Sequence, residues 1–279
     1  MNNEGRRLEI DIPTLIAISI LAWVLTNMLH EIVGHAGSAA LLGIPVRAVS
    51  TTTVYLEWDQ VPSVGAYRIF HAAGTIVNLI TGAIALLVLR MRSLKNSAPR
   101  YFLWLFATMS FTIAALNLVS APLLGGGDWI EVTRGFEPAG LWIAIIVGLG
   151  VIVTVAGYAL PLRLWMPDLR GNRRAQLKVT VIPVITLIVV QSLSIIGSPF
   201  ASLPPASNHL LGSIFAYFHF ILWAILVNVL PVPRSRNAVE SIRLPRSNVS
   251  LAFGLVAALF FIFVLGPGLG PLEEDPRLG

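Results

Sequence analysis

Of the 279 residues, 56% are hydrophobic and only 12% are charged, and the mean hydropathy of +0.79 is more than a water-soluble globule buries in its own core. The net charge of +5 comes from short basic clusters between apolar runs, a pattern that speaks to membrane orientation and not to nucleic acid. The absence of Cys excludes disulfides and thiolate metal ligands, leaving five His and fourteen Asp and Glu as the strong ligands available.

Apolar runs long enough to cross about 30 Å of hydrocarbon occur at 12–43, 65–91, 101–124, 138–163, 179–199, 209–232 and 249–268. They predict an all-α polytopic membrane protein of about seven transmembrane helices, embedded in a lipid bilayer. The first run has no small-residue cleavage site and reads as a retained span rather than a signal peptide. It is longer than a crossing needs, so its second half is expected to lie against other helices or project towards one surface. After it, Val46 to Trp58 is rich in β-branched residues with partial alternation, which predicts a short strand or hairpin. At membrane level such backbone must line a cavity or be covered by protein. Residues 1–130 thus form a three-span core with the chemistry-bearing motifs, and 131–279 add four spans of unassigned role in the same membrane domain.

Fifteen of the nineteen Lys and Arg fall on one side if seven spans alternate: Arg6 and Arg7, then the clusters at 90–100, 163–178 and 234–246. The positive-inside rule then predicts a cytoplasmic N-terminus and an outer C-terminus with the acidic Glu273-Glu274-Asp275. The connectors 164–178 and 233–248 read as solvated basic loops.

Within the first span lies His30-Glu31-Ile32-Val33-Gly34-His35. Ionisable groups at such depth are costly and mark function. Two His and a Glu are the residue types of a zinc hydrolase helix, in which the histidines hold the metal and the carboxylate moves protons. The spacing is one residue too long for a regular helix: positions i and i+5 stand ~140° apart about the axis. A π-bulge restores the two imidazoles to one face, and Gly34 eases such a distortion. The alternative pairs Glu31 with His35 and displaces His30, with His71 completing the set. Helix depth places His30, Glu31, His35, His71 and Asp128 in one layer, Asp128 following the turn Gly125-Gly126-Gly127. Asn78 and His71 are candidates for substrate binding or for supporting the ligands. His209 and His219 read as structural.

With these residues in place, the chain resembles the site-2 protease family of intramembrane zinc metalloproteases over roughly residues 12–130. The resemblance rests on His30 to His35, the strand-like Val46 to Trp58, Ala73-Gly74-Thr75-Ile76-Val77-Asn78 against a Gly-Pro-x-x-Asn-like element, and the Gly-rich turn ending in Asp128. The departures are the extra residue in the first motif, Thr75 where the family has Pro, and Gly-Gly-Asp-Trp instead of Asp-Gly. The resemblance implies a Zn²⁺ cofactor held by His30, His35 and Asp128, with Glu31 as the catalytic base. It also implies a substrate that is the transmembrane segment of another membrane protein. Two other functions use the same residues: a metalloprotease-like scaffold that binds membrane segments without cutting, and an ion or proton transporter.

Overall fold

Asp11 begins the first helix. Its carboxylate accepts hydrogen bonds from the amide and hydroxyl of Thr14 at 2.9 and 2.7 Å, and Pro13 occupies the first turn, where no N–H is needed. The computed structural model describes residues 10–91, 97–165, 173–196, 206–229 and 244–270. The acidic tail Glu273-Glu274-Asp275, Arg6, Arg7 and most of the two basic connectors lie outside these residues.

The elements are α1 (Ile12–Met28), a π-helical segment (Leu29–Ala36), α2 (Gly37–Leu41), β1 (Val46–Val49), β2 (Val54–Leu56), α3 (Val64–Arg90), α4 (Ser97–Leu123), α5 (Asp128–Thr133), α6 (Ala139–Trp165), α7 (Arg173–Ile196), α8 (Ala206–Val229) and α9 (Asn248–Phe260). A second π-helical segment, Phe261–Leu265, continues α9. Among the described residues, six helical stretches are long and apolar enough to cross a membrane, the first running unbroken from Ile12 to Leu41, and α8 contributes a shorter apolar one. The chain is therefore a multi-pass membrane protein. The helix α7 starts at Arg173, five residues before the expected end of the basic connector, because long basic side chains are readily carried on a helix end that leaves the hydrocarbon.

Helices α1 and α4 form the centre. The first packs against α4, α7 and α9, and α4 also packs against α3 and α6. Trp104, Trp223, Tyr101 and Phe220 fill the interior. Lipid offers no hydrophobic drive for helices to associate, so close packing and interhelical hydrogen bonds do that work. Such bonds include Trp23 Nε1 to Gln191 Oε1 at 3.2 Å and Asn228 Nδ2 to Thr180 Oγ1 at 2.8 Å. Leu149, Val151, Ile152 and Val155 of α6 remain exposed, as suits a lipid-facing helix.

The expected strand element is an antiparallel hairpin of β1 and β2, with an irregularity between Val46 and Ala48. Arg47 Nε pairs with Glu57 Oε1 at 3.1 Å across its open end. A small apolar cluster of Ala39, Ile44, Val54, Leu56, Ala66 and Phe70 seats the hairpin on α2 and the start of α3. Its turn is anchored twice: Asn27 Nδ2 donates to the Thr51 carbonyl at 2.9 Å, and the hydroxyls of Thr51 and Ser194 lie 3.2 Å apart. The strand backbone is thus covered by protein, as its depth demands.

Candidate metal centre

From Leu29 to Ala36 the backbone winds as a π-helix, whose i→i+5 bonding brings residues five apart nearly above one another. The extra residue of the motif is absorbed there. His30 and His35 share one face, their rings edge to face at 4.8 Å between centroids and their Nε2 atoms 3.2 Å apart. Of the two geometries the sequence left open, the structure adopts the one that keeps His30 inward.

Beneath the imidazoles the first span crosses α3 at two glycines. A Cβ on Gly34 would stand 2.5 Å from the Gly74 Cα, and one on Gly74 would stand 2.6 Å from His35 Nε2 and 2.8 Å from His30 Nε2. Any side chain at position 74 would occupy the space in which the two ring nitrogens converge. Gly74→Ala is expected to force the helices apart at a cost of roughly 1–3 kcal/mol and to lower metal content while the helices persist. Metal analysis beside circular dichroism checks this.

Asp128 arrives from the other side as the first residue of α5, after a turn in which Gly125 and Gly127 take φ of 74° and 78°, a region open to glycine. Its Oδ2 lies 3.6 Å from His30 Nε2 and 3.4 Å from His35 Nε2. His30, His35 and Asp128 each offer one ligand atom, all within 4.8 Å of one another. Burial alone would raise the Asp128 carboxyl, but the charge of His35 and hydrogen bonds from His30, His35 and His71 outweigh it and hold the group well below the usual carboxylate range. Glu31, 7% exposed, lies in the field of His30, His35 and Asp128 but is not one of the three converging groups.

Each ligand has an outer partner. His35 Nδ1 lies 2.8 Å from the Phe70 carbonyl, which can only accept, so that nitrogen carries a proton and in the neutral ring leaves Nε2 with its lone pair. His30 Nδ1 faces the Asn78 side-chain amide at 3.2 Å, and the Asn78 Oδ1 is buried without a hydrogen-bond partner among the described residues. Turning that amide by 180° lets Oδ1 accept from His30 Nδ1–H, frees His30 Nε2 as well, and satisfies the orphaned oxygen. Asp128 Oδ1 meets His71 Nδ1 at 3.2 Å. The His71 ring stacks on Trp58 with centroids 6.1 Å apart.

A tetrahedral cation with bonds of about 2.0–2.1 Å has edges of about 3.3–3.4 Å between its ligands. The three separations of 3.2, 3.4 and 3.6 Å match a triangular face of such a set. Two imidazoles and a carboxylate are a donor set that a divalent cation such as zinc accepts. The donor set therefore fits the group.

Sequence reasoning missed the residues that hold α5 in place. The Trp129 indole donates to Thr75 Oγ1 at 3.0 Å, and the Tyr67 hydroxyl donates to Glu131, which also pairs with Arg134. Thr75 thus cross-links α3 to the residue next to Asp128. The signal available was a hydroxyl three residues before Asn78 on a buried helix face. His219 is structural in its contacts, with Nδ1 against the Phe215 carbonyl at 3.0 Å and Nε2 near Ser120 Oγ at 3.3 Å, while the side chain of His209 lies outside the described residues. No protein-family model matches this chain, and no curated protein or solved structure shows significant similarity to it.

Proposed function

We propose that this protein is a zinc-dependent intramembrane endopeptidase that hydrolyses peptide bonds in the membrane segments of other proteins. The observation that carries the reading is the convergence of three ligand atoms from the first span and the Asp128 turn, with a separate buried carboxylate beside them. His30, His35 and Asp128 would hold the ion, and Zn²⁺ when bound supplies Lewis-acid polarisation of the scissile carbonyl and acidifies water. Glu31 takes the proton of the attacking water on its carboxylate and delivers it to the departing amine. Asn78 and Phe70 fix the imidazole tautomers; His71 orients the carboxylate of Asp128. A substrate helix must unwind before its carbonyls are reachable, and the hairpin offers an extended strand to pair with the unwound stretch.

Two departures from the family pattern support the reading instead of weakening it. The extra residue is taken up by the π-helix, and Thr75 braces Trp129. π-helical turns are often found at functional sites, and this one places two histidines on one face. The test is zinc content of the purified protein, expected near one per chain, together with cleavage of membrane proteins in cells that make it. Metal-free protein with an intact fold rejects the reading.

The charge distribution supports a cytoplasmic N-terminus, with the centre nearer the outer face. Asp59 is exposed in the segment that leads from the hairpin into α3. Because the chain has no native Cys, Asp59→Cys is expected to react with a membrane-impermeant maleimide added outside intact cells, and labelling only after permeabilisation reverses the orientation.

A further inference from the structure

The endopeptidase reading gives the hairpin the task of pairing with substrate, yet the outer edge of β1 is already occupied. On the side of β1 facing away from β2, the Val49 amide donates to the Leu269 carbonyl at 2.9 Å and the Leu269 amide donates to the Val49 carbonyl at 2.8 Å. This is a complete antiparallel exchange, made by a stretch that follows the last membrane helix and belongs to no sheet of its own. Leu269 is 47% exposed, so its side chain contributes little to holding the segment. Gly270 lies so close to β1 that a Cβ there would overlap the Arg47 carbonyl oxygen, and its φ is +130°. The stretch reads Gly266-Pro267-Gly268-Leu269-Gly270, in which Pro267 lacks a donor and Gly268 permits a turn. A short extended segment held by main-chain bonds alone is what an incoming substrate strand also resembles.

We infer that this chain's own Leu269–Gly270 stretch is a displaceable strap over the outer edge of β1, the edge at which the hairpin would take up an extended substrate segment. The inference rests on the endopeptidase reading for the identity of the incoming strand. Main-chain pairing at Val49 selects for extended conformation and not for a particular side chain, so the recognised class is any unwound apolar segment with free N–H and C=O groups. The hairpin turn is tied to Asn27, three residues before His30, so a strand laid on β1 lies beside the helix bearing the ligands. The strap, being part of the same chain, competes at a high effective concentration and keeps the edge closed to weakly extended segments.

Two variants move the strap in opposite directions. Gly270→Val places a branched side chain against the Arg47 carbonyl and lifts the strap; a disulfide between Val49→Cys and Leu269→Cys, the only cysteines in the chain, locks it. The probe is a synthetic peptide with the sequence of Phe263–Gly270 and a photoreactive phenylalanine at the position of Leu269, added to the full-length protein in detergent. Mass spectrometry then maps where it attaches. Attachment to residues 46–49 is expected to rise at least about tenfold in Gly270→Val, because an intramolecular competitor of roughly millimolar strength is gone. It should fall to background in the oxidised double variant and return on reduction. Equal attachment in all forms, or attachment confined elsewhere, overturns the inference. Labelling needs no bond cleavage, so strap-dependent labelling by a protein that never cleaves leaves the docking edge standing and removes the endopeptidase. Cleavage of membrane proteins at the same rate in locked and reduced forms does the reverse.

Discussion

Glu31→Gln is expected to lower cleavage by about 10²–10⁴-fold, the usual contribution of a positioned acid or base, while zinc content stays near that of the parent protein. The two results belong together. Gln fills the same volume and still hydrogen-bonds, but its amide takes up no proton, so only the proton-transfer role is removed. Zinc persists in this variant because the converging ligand atoms belong to His30, His35 and Asp128 and not to residue 31. The measurement compares new N-termini of membrane proteins in cells making parent or variant protein, beside metal analysis of both. Undiminished cleavage rejects Glu31 as the base. Loss of zinc on this substitution would instead make Glu31 a ligand and revive the pairing of Glu31 with His35.

How far the sequence anticipates these features depends on the range over which each is specified. A bilayer demands about twenty apolar residues per crossing, a local requirement, and the helices α1, α3, α4 and α6 lie close to the expected runs. The π-helix at Leu29–Ala36 was also locally legible, because two histidines five apart serve a common purpose only if the backbone gains a residue per turn. The hairpin followed from β-branched residues between Val46 and Trp58. Legibility fails where the partner is far along the chain. Gly74 looks like any helical glycine until Gly34 and the two imidazoles are laid against it. Trp129 reads as an interfacial aromatic, yet its indole holds Thr75 and through it the element bearing Asp128. The contact between Val49 and Leu269 joins segments separated by most of the chain, and nothing in either segment's composition announces the other.

Asp128→Asn is the substitution that most sharply separates a metal centre from a buried polar network. In a network, the neutral amide keeps the shape and much of the hydrogen bonding of the acid. The cost is then limited to the hydrogen bonds that an amide makes less well, about 0.5–1.5 kcal/mol each. In a metal centre the same change removes the one anionic ligand, with Oδ2 between two imidazoles, and zinc leaves. The expected loss of affinity exceeds the roughly 10–100-fold that follows loss of an outer hydrogen bond, for which His71→Phe, which deprives Asp128 Oδ1 of its partner, is the internal comparison. Thermal unfolding with and without a chelator reads the distinction without any substrate. A ligand bound only to the folded state raises its stability with the logarithm of one plus the ratio of free ligand to its dissociation constant, so the chelator should lower the melting temperature of the parent protein. In Asp128→Asn the chelator should have no effect, because the unfolding curve already describes the metal-free protein. A parent protein indifferent to the chelator, with the Asn variant melting close to the same temperature, would identify His30, His35 and Asp128 as packing residues and end the case for hydrolysis.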